Sequence, residues 1–116
     1  MATAVLFIGW NRPYPGREGD AFRFLLSEGT EMLEKFKADG FYESREHVGL
    51  TAHGGDLNGF MLLFGERAKL DELRRTDAFE KFVMRLGTLM NGLGVIPGLN
   101  SAGLEAAMKR NTDIFK

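Results

Sequence analysis

The chain has 116 residues, of which 44% are hydrophobic and 27% charged, and its formal net charge at pH 7 is -1. This length and composition are typical of one soluble domain spanning 1–116, and the charge balance gives no general attraction to nucleic acid or an anionic membrane. The sequence contains no cysteine, which excludes disulfides, thiolate metal sites and thiol catalysis. It has no apolar run near the ~20 residues of a membrane helix and no basic signal-peptide region, so we expect a cytoplasmic protein.

The first third of the chain is predicted to form a strand, a loop and a long helix. Residues 4–10 make an apolar strand, and residues 11–19 form a loop rich in proline and glycine. Asp20 is predicted to cap the helix at its start, and Gly40 is suited to its end. Between them, apolar residues recur at the spacing of one helix face. They are Phe22, Leu25, Leu26, Gly29, Met32, Leu33 and Phe36.

Two strands joined by a hairpin turn are predicted next. Residues 41–52 form the second strand, and residues 53–58 supply the glycine, aspartate and asparagine typical of a turn. The third strand, 59–65, has no polar residue between its two glycines. Because successive side chains of a strand point to opposite faces, both of its faces are apolar and require cover. The faces consist of Phe60, Leu62 and Phe64 on one side and Met61 and Leu63 on the other.

The last third of the chain is predicted to form a helix, a strand and a terminal helix. The helix covers 68–93 and can restart at Thr76 or Asp77 after a small break. The strand covers 95–99, and its proline favours an edge position. The terminal helix covers 101–113.

This order of elements, β-α-β-β-α-β followed by a short C-terminal helix, is the split βαβ pattern of the ferredoxin-like fold. It predicts an α+β protein with a four-stranded antiparallel sheet, in which right-handed crossovers place both long helices on one face. The other face would be a large exposed apolar patch. Pairing two such faces about a two-fold axis would cover it, so we expect a homodimer or a higher oligomer built from it.

The first strand, the hairpin, the second long helix and the last strand resemble the dimeric α+β barrel superfamily. The stretch from Gly59 to Leu70, where a strand leads directly into a helix, is most similar to uncharacterised bacterial members of that group. Other members include small cofactor-free monooxygenases, lactone isomerases, EthD-like and YCII-like proteins and haem-binding dismutases. The resemblance implies a dimeric barrel with a ligand cavity between the sheet and its helices or within the barrel, and it does not specify a reaction.

His47 and His53 are the candidate catalytic residues, since a histidine titrates near neutral pH and can act as an acid or base. A regular second strand would place them on one face with Glu43 and Arg45, two candidate substrate-binding residues. It would also separate the histidines by about 20 Å, too far to share a metal ion within one chain. We therefore predict no metal and no cofactor. The alternative is that these are polar residues of a solvated strand or an interface.

The loop after the first strand carries the other candidate binding residues, Trp10, Asn11, Arg12 and Tyr14. The two aromatic residues are suited to a pocket wall, and Arg12 is suited to an anionic group near a helix N-terminus. The alternative is a surface loop with a purely structural role. No nucleotide-binding, metalloprotease or calcium-binding motif occurs in the chain.

Two functions are compatible with these patterns. The first is a homodimeric barrel that binds a small, largely apolar molecule, with or without a cofactor-free oxygenation or isomerisation. Ten phenylalanines and six methionines support it, because such side chains line apolar pockets as well as cores. The second is a non-catalytic assembly or regulatory module with no small-molecule site. A cavity of a few hundred Å³ lined by the candidate residues would favour the first.

Overall fold

The computed structural model describes residues 2–115. Its strands and helices, in chain order, are β1 (Ala4–Trp10), β2 (Arg12–Pro13), α1 (Glu18–Leu26), α2 (Glu28–Ala38), β3 (Ser44–Gly49), β4 (Gly59–Gly65), α3 (Arg67–Arg74), α4 (Asp77–Gly87), β5 (Met90–Asn91), β6 (Gly94–Leu99) and α5 (Ser101–Arg110). A 3-10 turn covers Thr112–Phe115. None of the helices in this part of the chain has the length and apolar character to cross a membrane.

Four strands form one antiparallel sheet in the order β3-β4-β1-β6, and β2 and β5 form a separate two-residue ladder. β1 and β3 both run antiparallel to β4, which lies between them, and α1 and α2 connect the two. This is the split βαβ unit. The predicted α+β, ferredoxin-like arrangement is therefore confirmed.

The helices pack on one face of the sheet and form the core with it. The strand residues on that face are almost fully buried, and they include Ala4, Leu6, Ile8, Met61 and Leu63. Phenylalanines from the helices fill the space above them. The ring centroids of Phe24 and Phe82 are 5.8 Å apart. The ring centroid of Phe79 lies 6.0 Å from that of Phe36 and 6.0 Å from that of Phe82. These are favourable separations for aromatic pairs.

The opposite face of the sheet has no second layer within residues 2–115, and the molecule is only 19 Å across its thinnest direction. Strand pairing places Val5, Phe7, Phe60, Leu62, Phe64 and Ile96 together on this face. The first five are half-buried and Ile96 is exposed. We call this set the outer apolar face. The structure thus settles which set of β4 residues the helices cover, namely Met61 and Leu63.

The first predicted helix is two helices, and this prediction of one continuous helix capped by Asp20 was wrong. α1 begins after Arg17, and Asp20 lies inside it, paired with Arg17 and Arg23. The break comes at Ser27, whose φ and ψ of -128° and -89° are not helical. Gly29 makes the break possible, because a Cβ at this position would lie 2.8 Å from the carbonyl oxygen of Phe24. The predicted end at Gly40 is confirmed by its φ of 87°.

The second strand is shorter than the predicted 41–52, since β3 covers only Ser44–Gly49. Its start is delayed because Tyr42 packs into the core and its hydroxyl donates to the carbonyl oxygen of Leu33 on α2 at 2.7 Å. Its end comes early because the chain turns into the loop 50–58. His53 therefore lies in that loop and not on a strand face shared with His47.

The last third of the chain follows the sequence prediction except at two helix ends, since α5 stops at Arg110 and not at residue 113, and α4 stops early. Thr76 caps α4, accepting a hydrogen bond from the backbone N–H of Phe79, which confirms the predicted restart. The helix ends at Gly87 and not near residue 93, because Met90 is buried and pairs with Pro13 in the β2–β5 ladder. β6 lies at a sheet edge, as its proline indicated.

Candidate functional site

A cleft of about 560 Å³ opens where β1 ends and β4 begins, between the sheet and α1. Most of its lining is apolar and comes from six elements and the loop after β3. The apolar and glycine residues are Trp10, Pro13, Phe22, Leu25, Leu26, Val48, Gly49, Leu50, Ala52, Gly59 and Met90. The polar residues are Asn11, Arg12, His47 and Asn58. Concave apolar sites with a few polar groups are typical of small-molecule binding.

Trp10 lies across the sheet at the inner end of this cleft. It pairs with Gly59 on β4, and a Cβ on Gly59 would lie only 2.7 Å from the indole Nε1 of Trp10. The missing side chain therefore lets the indole pass over β4 and reach β3. There it meets the imidazole of His47 edge to face, with 5.4 Å between ring centroids and 85° between planes. Only 7% of Trp10 is exposed.

The side chain of His47 lines the cleft beside Trp10 and keeps much of its surface exposed. Partial burial of the ring lowers its pKa, and the positive charge of Arg45 on the same face of β3 lowers the pKa further. No protein group within residues 2–115 hydrogen-bonds to the ring nitrogens of His47. Both nitrogens can therefore exchange a hydrogen bond or a proton with a bound molecule.

Two asparagines hold the loop 50–58 against β1. The side-chain amide of Asn58 donates to the Oδ1 of Asn11 at 2.5 Å and to the carbonyl oxygen of Gly55 at 3.3 Å. The backbone N–H of Asn58 also donates to the carbonyl oxygen of Trp10 at 2.9 Å. These bonds fix the loop wall of the cleft relative to the tryptophan.

The other wall is tied down through the β2–β5 ladder. Arg12 pairs with Asn91, and the backbone N–H of Tyr14 donates to the carbonyl oxygen of Leu89 at 2.9 Å. The side chain of Arg12 stays exposed at the mouth of the cleft. It makes no ion pair with a carboxylate among the residues the structure describes.

The structure brings together four of the eight predicted site residues, namely Trp10, Asn11, Arg12 and His47. Tyr14 does not line the cleft and is 41% exposed. His53 is exposed on its loop, with its Nδ1 3.0 Å from the carbonyl oxygen of Thr51. The expectation that His47 and His53 share a face was wrong, because β3 ends before it reaches His53.

Glu43 and Arg45 lie away from the cleft. Glu43 is exposed near Gly40 and Glu66, toward the far end of β3. The guanidinium of Arg45 contacts the hydroxyl of Tyr42 at 3.1 Å and the carboxylate of Glu34 at 3.2 Å. Its connection with the cleft is the charge it places near His47.

Several lining residues were not singled out as site residues in the sequence. Three of them belong to the helical stripe that predicted a core, namely Phe22, Leu25 and Leu26. They also line the cleft because α1 ends over it. Met90 was placed inside a helix. Asn58 was assigned to the hairpin turn, and no pattern in the sequence indicates its hydrogen bond to Asn11.

Within residues 2–115, no three histidine, aspartate or glutamate side chains come together as a metal site would require. The chain matches no known family profile and no curated protein. It is similar to a solved structure described as the NE2512 protein of unknown function from Nitrosomonas europaea. The TM-score is 0.60 with 16% sequence identity, and the match covers 88% of this chain and 92% of that one. This similarity shows the fold and carries no function.

Proposed function

We propose that the protein binds a small, largely apolar molecule in the cleft at the end of β1. The observation that carries the proposal is a space of about 560 Å³ lined mainly by apolar side chains, with Trp10 at its inner end. This volume is within the range of small-molecule sites and large enough to bury most of a ring system or a short acyl chain. The exposed side chains of Phe22 and Leu26 at its rim would be covered by such a ligand.

If the protein is an enzyme, His47 is the residue that we propose as acid or base. A neutral imidazole can accept a proton from a C–H or O–H group of a bound substrate and return it at another atom, as isomerisation requires. The same abstraction would begin a cofactor-free oxygenation. His53 is outside the cleft, so we assign it no catalytic role.

We further propose that the protein is a homodimer of the dimeric α+β barrel type, formed through the outer apolar face. Six apolar side chains on that face remain wholly or partly exposed in one chain, and the sheet lacks a layer on that side. This side of the sheet spans four strands about 4.8 Å apart and about 20 Å long, so each copy presents roughly 400 Å². The edge strand β3 adds Ser44, Glu46 and Val48 to it. Two such flat faces would bury about 800 Å². The uneven surface of the side chains adds to this area and brings it near the ~1,000 Å² that a stable interface needs.

The alternative, an assembly module without a ligand, is favoured by a second exposed apolar surface. Leu104 and Met108 lie one turn apart on α5 and are 53% and 51% exposed. This surface and the outer apolar face are suited to protein contacts. The cleft distinguishes the two functions, since an assembly module has no need of it.

Native mass spectrometry on protein purified from cells tests the binding proposal. We expect an added mass that is lost on denaturation and is absent from the Gly49→Leu variant. Gly49 lines the cleft, and a Cβ there meets no atom within 4 Å. A leucine side chain would therefore fill the cleft without moving the surrounding backbone.

The matched control is Gly87→Leu. Gly87 ends α4 outside the cleft, and its nearest neighbour to an added Cβ is 3.7 Å away. This variant should keep the added mass. A wild-type protein with no added mass, and with no affinity for any apolar compound in a screen, would instead support the assembly module.

A further inference from the structure

The charge of the cleft lining is one-sided. Its fifteen residues include one arginine, one histidine and no aspartate or glutamate. A bound molecule therefore meets a positive charge and no negative one. Arg12 carries that charge at the mouth, while the buried Trp10 lies at the inner end.

Among the described residues, Arg12 forms no ion pair with either acidic residue in the first turn of α1, Glu18 or Asp20. The carboxylate of Asp20 is already held by Arg17 at 3.0 Å and by Arg23. Hydrogen bonds from Arg23 and Arg17 lower the pKa of Asp20, as expected for an engaged carboxylate. The guanidinium of Arg12 is thus available to an incoming anion, and its planar fork matches a carboxylate.

We infer that the ligand is an amphipathic organic monoanion, whose apolar body lies on Trp10 and Met90 and whose carboxylate binds Arg12 at the mouth. This inference rests on the proposed function and adds the chemical class of the ligand. A single cation favours one carboxylate over a phosphate monoester, which carries nearly two charges. The buried position of the indole sets the direction of binding, with the apolar end inward.

Three probes with one apolar body test the inference, namely octanoate, octan-1-ol and octylammonium, titrated into the protein by calorimetry below their micellar concentrations. We expect octanoate to bind about tenfold more tightly than octan-1-ol, the scale of one charge-assisted hydrogen-bonded pair near a surface. Octylammonium should bind most weakly. Arg12→Gln should weaken octanoate about tenfold and leave octan-1-ol unchanged.

Arg74→Gln is the matched control, because Arg74 is an exposed arginine at the end of α3, outside the cleft. It should leave all three affinities unchanged. Equal affinities for octanoate and octan-1-ol, or a preference for octanoate that Arg12→Gln does not reduce, would overturn the monoanion inference and leave the apolar cleft in place. If none of the three probes binds at millimolar concentration, the monoanion inference fails, and the proposed function fails with it when the screen of apolar compounds also finds no binder.

Discussion

The two faces of β4 carry the same kind of side chain but have different surroundings. Met61 and Leu63 point to the helices and are 1% and 0% exposed. Phe60, Leu62 and Phe64 alternate with them and remain only half-buried. The comparison teaches that the chain itself completes the hydrophobic pattern of this strand on one side and leaves apolar side chains partly exposed on the other, which is why we propose a second copy as their cover.

The largest difference between the faces should appear when a charge is placed on each. Met61→Lys would bury an unpaired ammonium among the helices. The free-energy cost of burying such a charge exceeds the free energy of unfolding of most domains. We expect no folded protein by circular dichroism. Leu62→Lys should fold, because its side chain faces outward, but should be a monomer. A folded Met61→Lys variant would contradict the assignment of the inner face.

A matched pair of alanine variants measures the same contrast in free energy. Leu63→Ala removes a fully buried side chain and should lower the free energy of unfolding by about 3 kcal/mol at any protein concentration. Leu62→Ala should cost about 1 kcal/mol where the protein is monomeric. Its cost should increase with protein concentration, because the lost contact belongs to the dimer. Urea unfolding at two concentrations gives both values, and equal costs for Leu62→Ala at both would count against the dimer.

The cleft offers a second contrast, between two glycines that face each other in the β3–β4 pair. Gly59→Ala places a Cβ 2.7 Å from the indole of Trp10 and should cost about 1–3 kcal/mol of stability as the ring is displaced. Gly49→Ala adds the same methyl to open space and should stay within about 0.5 kcal/mol of the wild type. Thermal unfolding measures the loss of stability in each variant. An equal loss in both would show that the space beside Gly49 is filled, and would contradict an open cleft.

The smallest expected effect is spectroscopic. Trp10 is the only tryptophan, and its ring touches His47, so protonation of the imidazole should quench its fluorescence. Because burial lowers the pKa of His47 from 6.5, emission should be steady above that pH and fall as the pH decreases through a midpoint below it. Because the pKa of His47 is lower in the folded state than in the unfolded chain, the unfolded chain binds the proton first as the pH falls below 6.5. The free energy of unfolding should therefore also decrease over this range.

The histidine variants assign this titration. His47→Gln should remove the fluorescence step, while His53→Gln should retain it, since His53 lies on a separate exposed loop. A step that disappears with His53→Gln would contradict the geometry of the cleft.

The sequence was sufficient for the parts of the fold that depend on local pattern. The bounds of β4 follow from an apolar run between two glycines, and the start of α4 follows from a threonine cap. The break at Ser27 was not predicted, because the close approach of Gly29 to Phe24 that permits it exists only in the folded chain.

The candidate site was less predictable for the same physical reason. Trp10, Arg12 and His47 were chosen for their chemistry, but their proximity depends on the register that aligns β1, β4 and β3. The approach of the indole to the imidazole depends further on Gly59, which lies 49 positions from Trp10 in the sequence. His53 was misplaced because β3 ends at Gly49, where the chain turns into the loop 50–58.

The molar mass of the wild-type protein in solution, measured by light scattering across the micromolar range, tests the comparison of the two faces most directly. The chain mass is 12.9 kDa, and we expect a particle of about twice that mass that Leu62→Lys converts to a single chain. A wild-type particle of 12.9 kDa at every concentration would show that the outer apolar face stays uncovered in solution and would contradict the account.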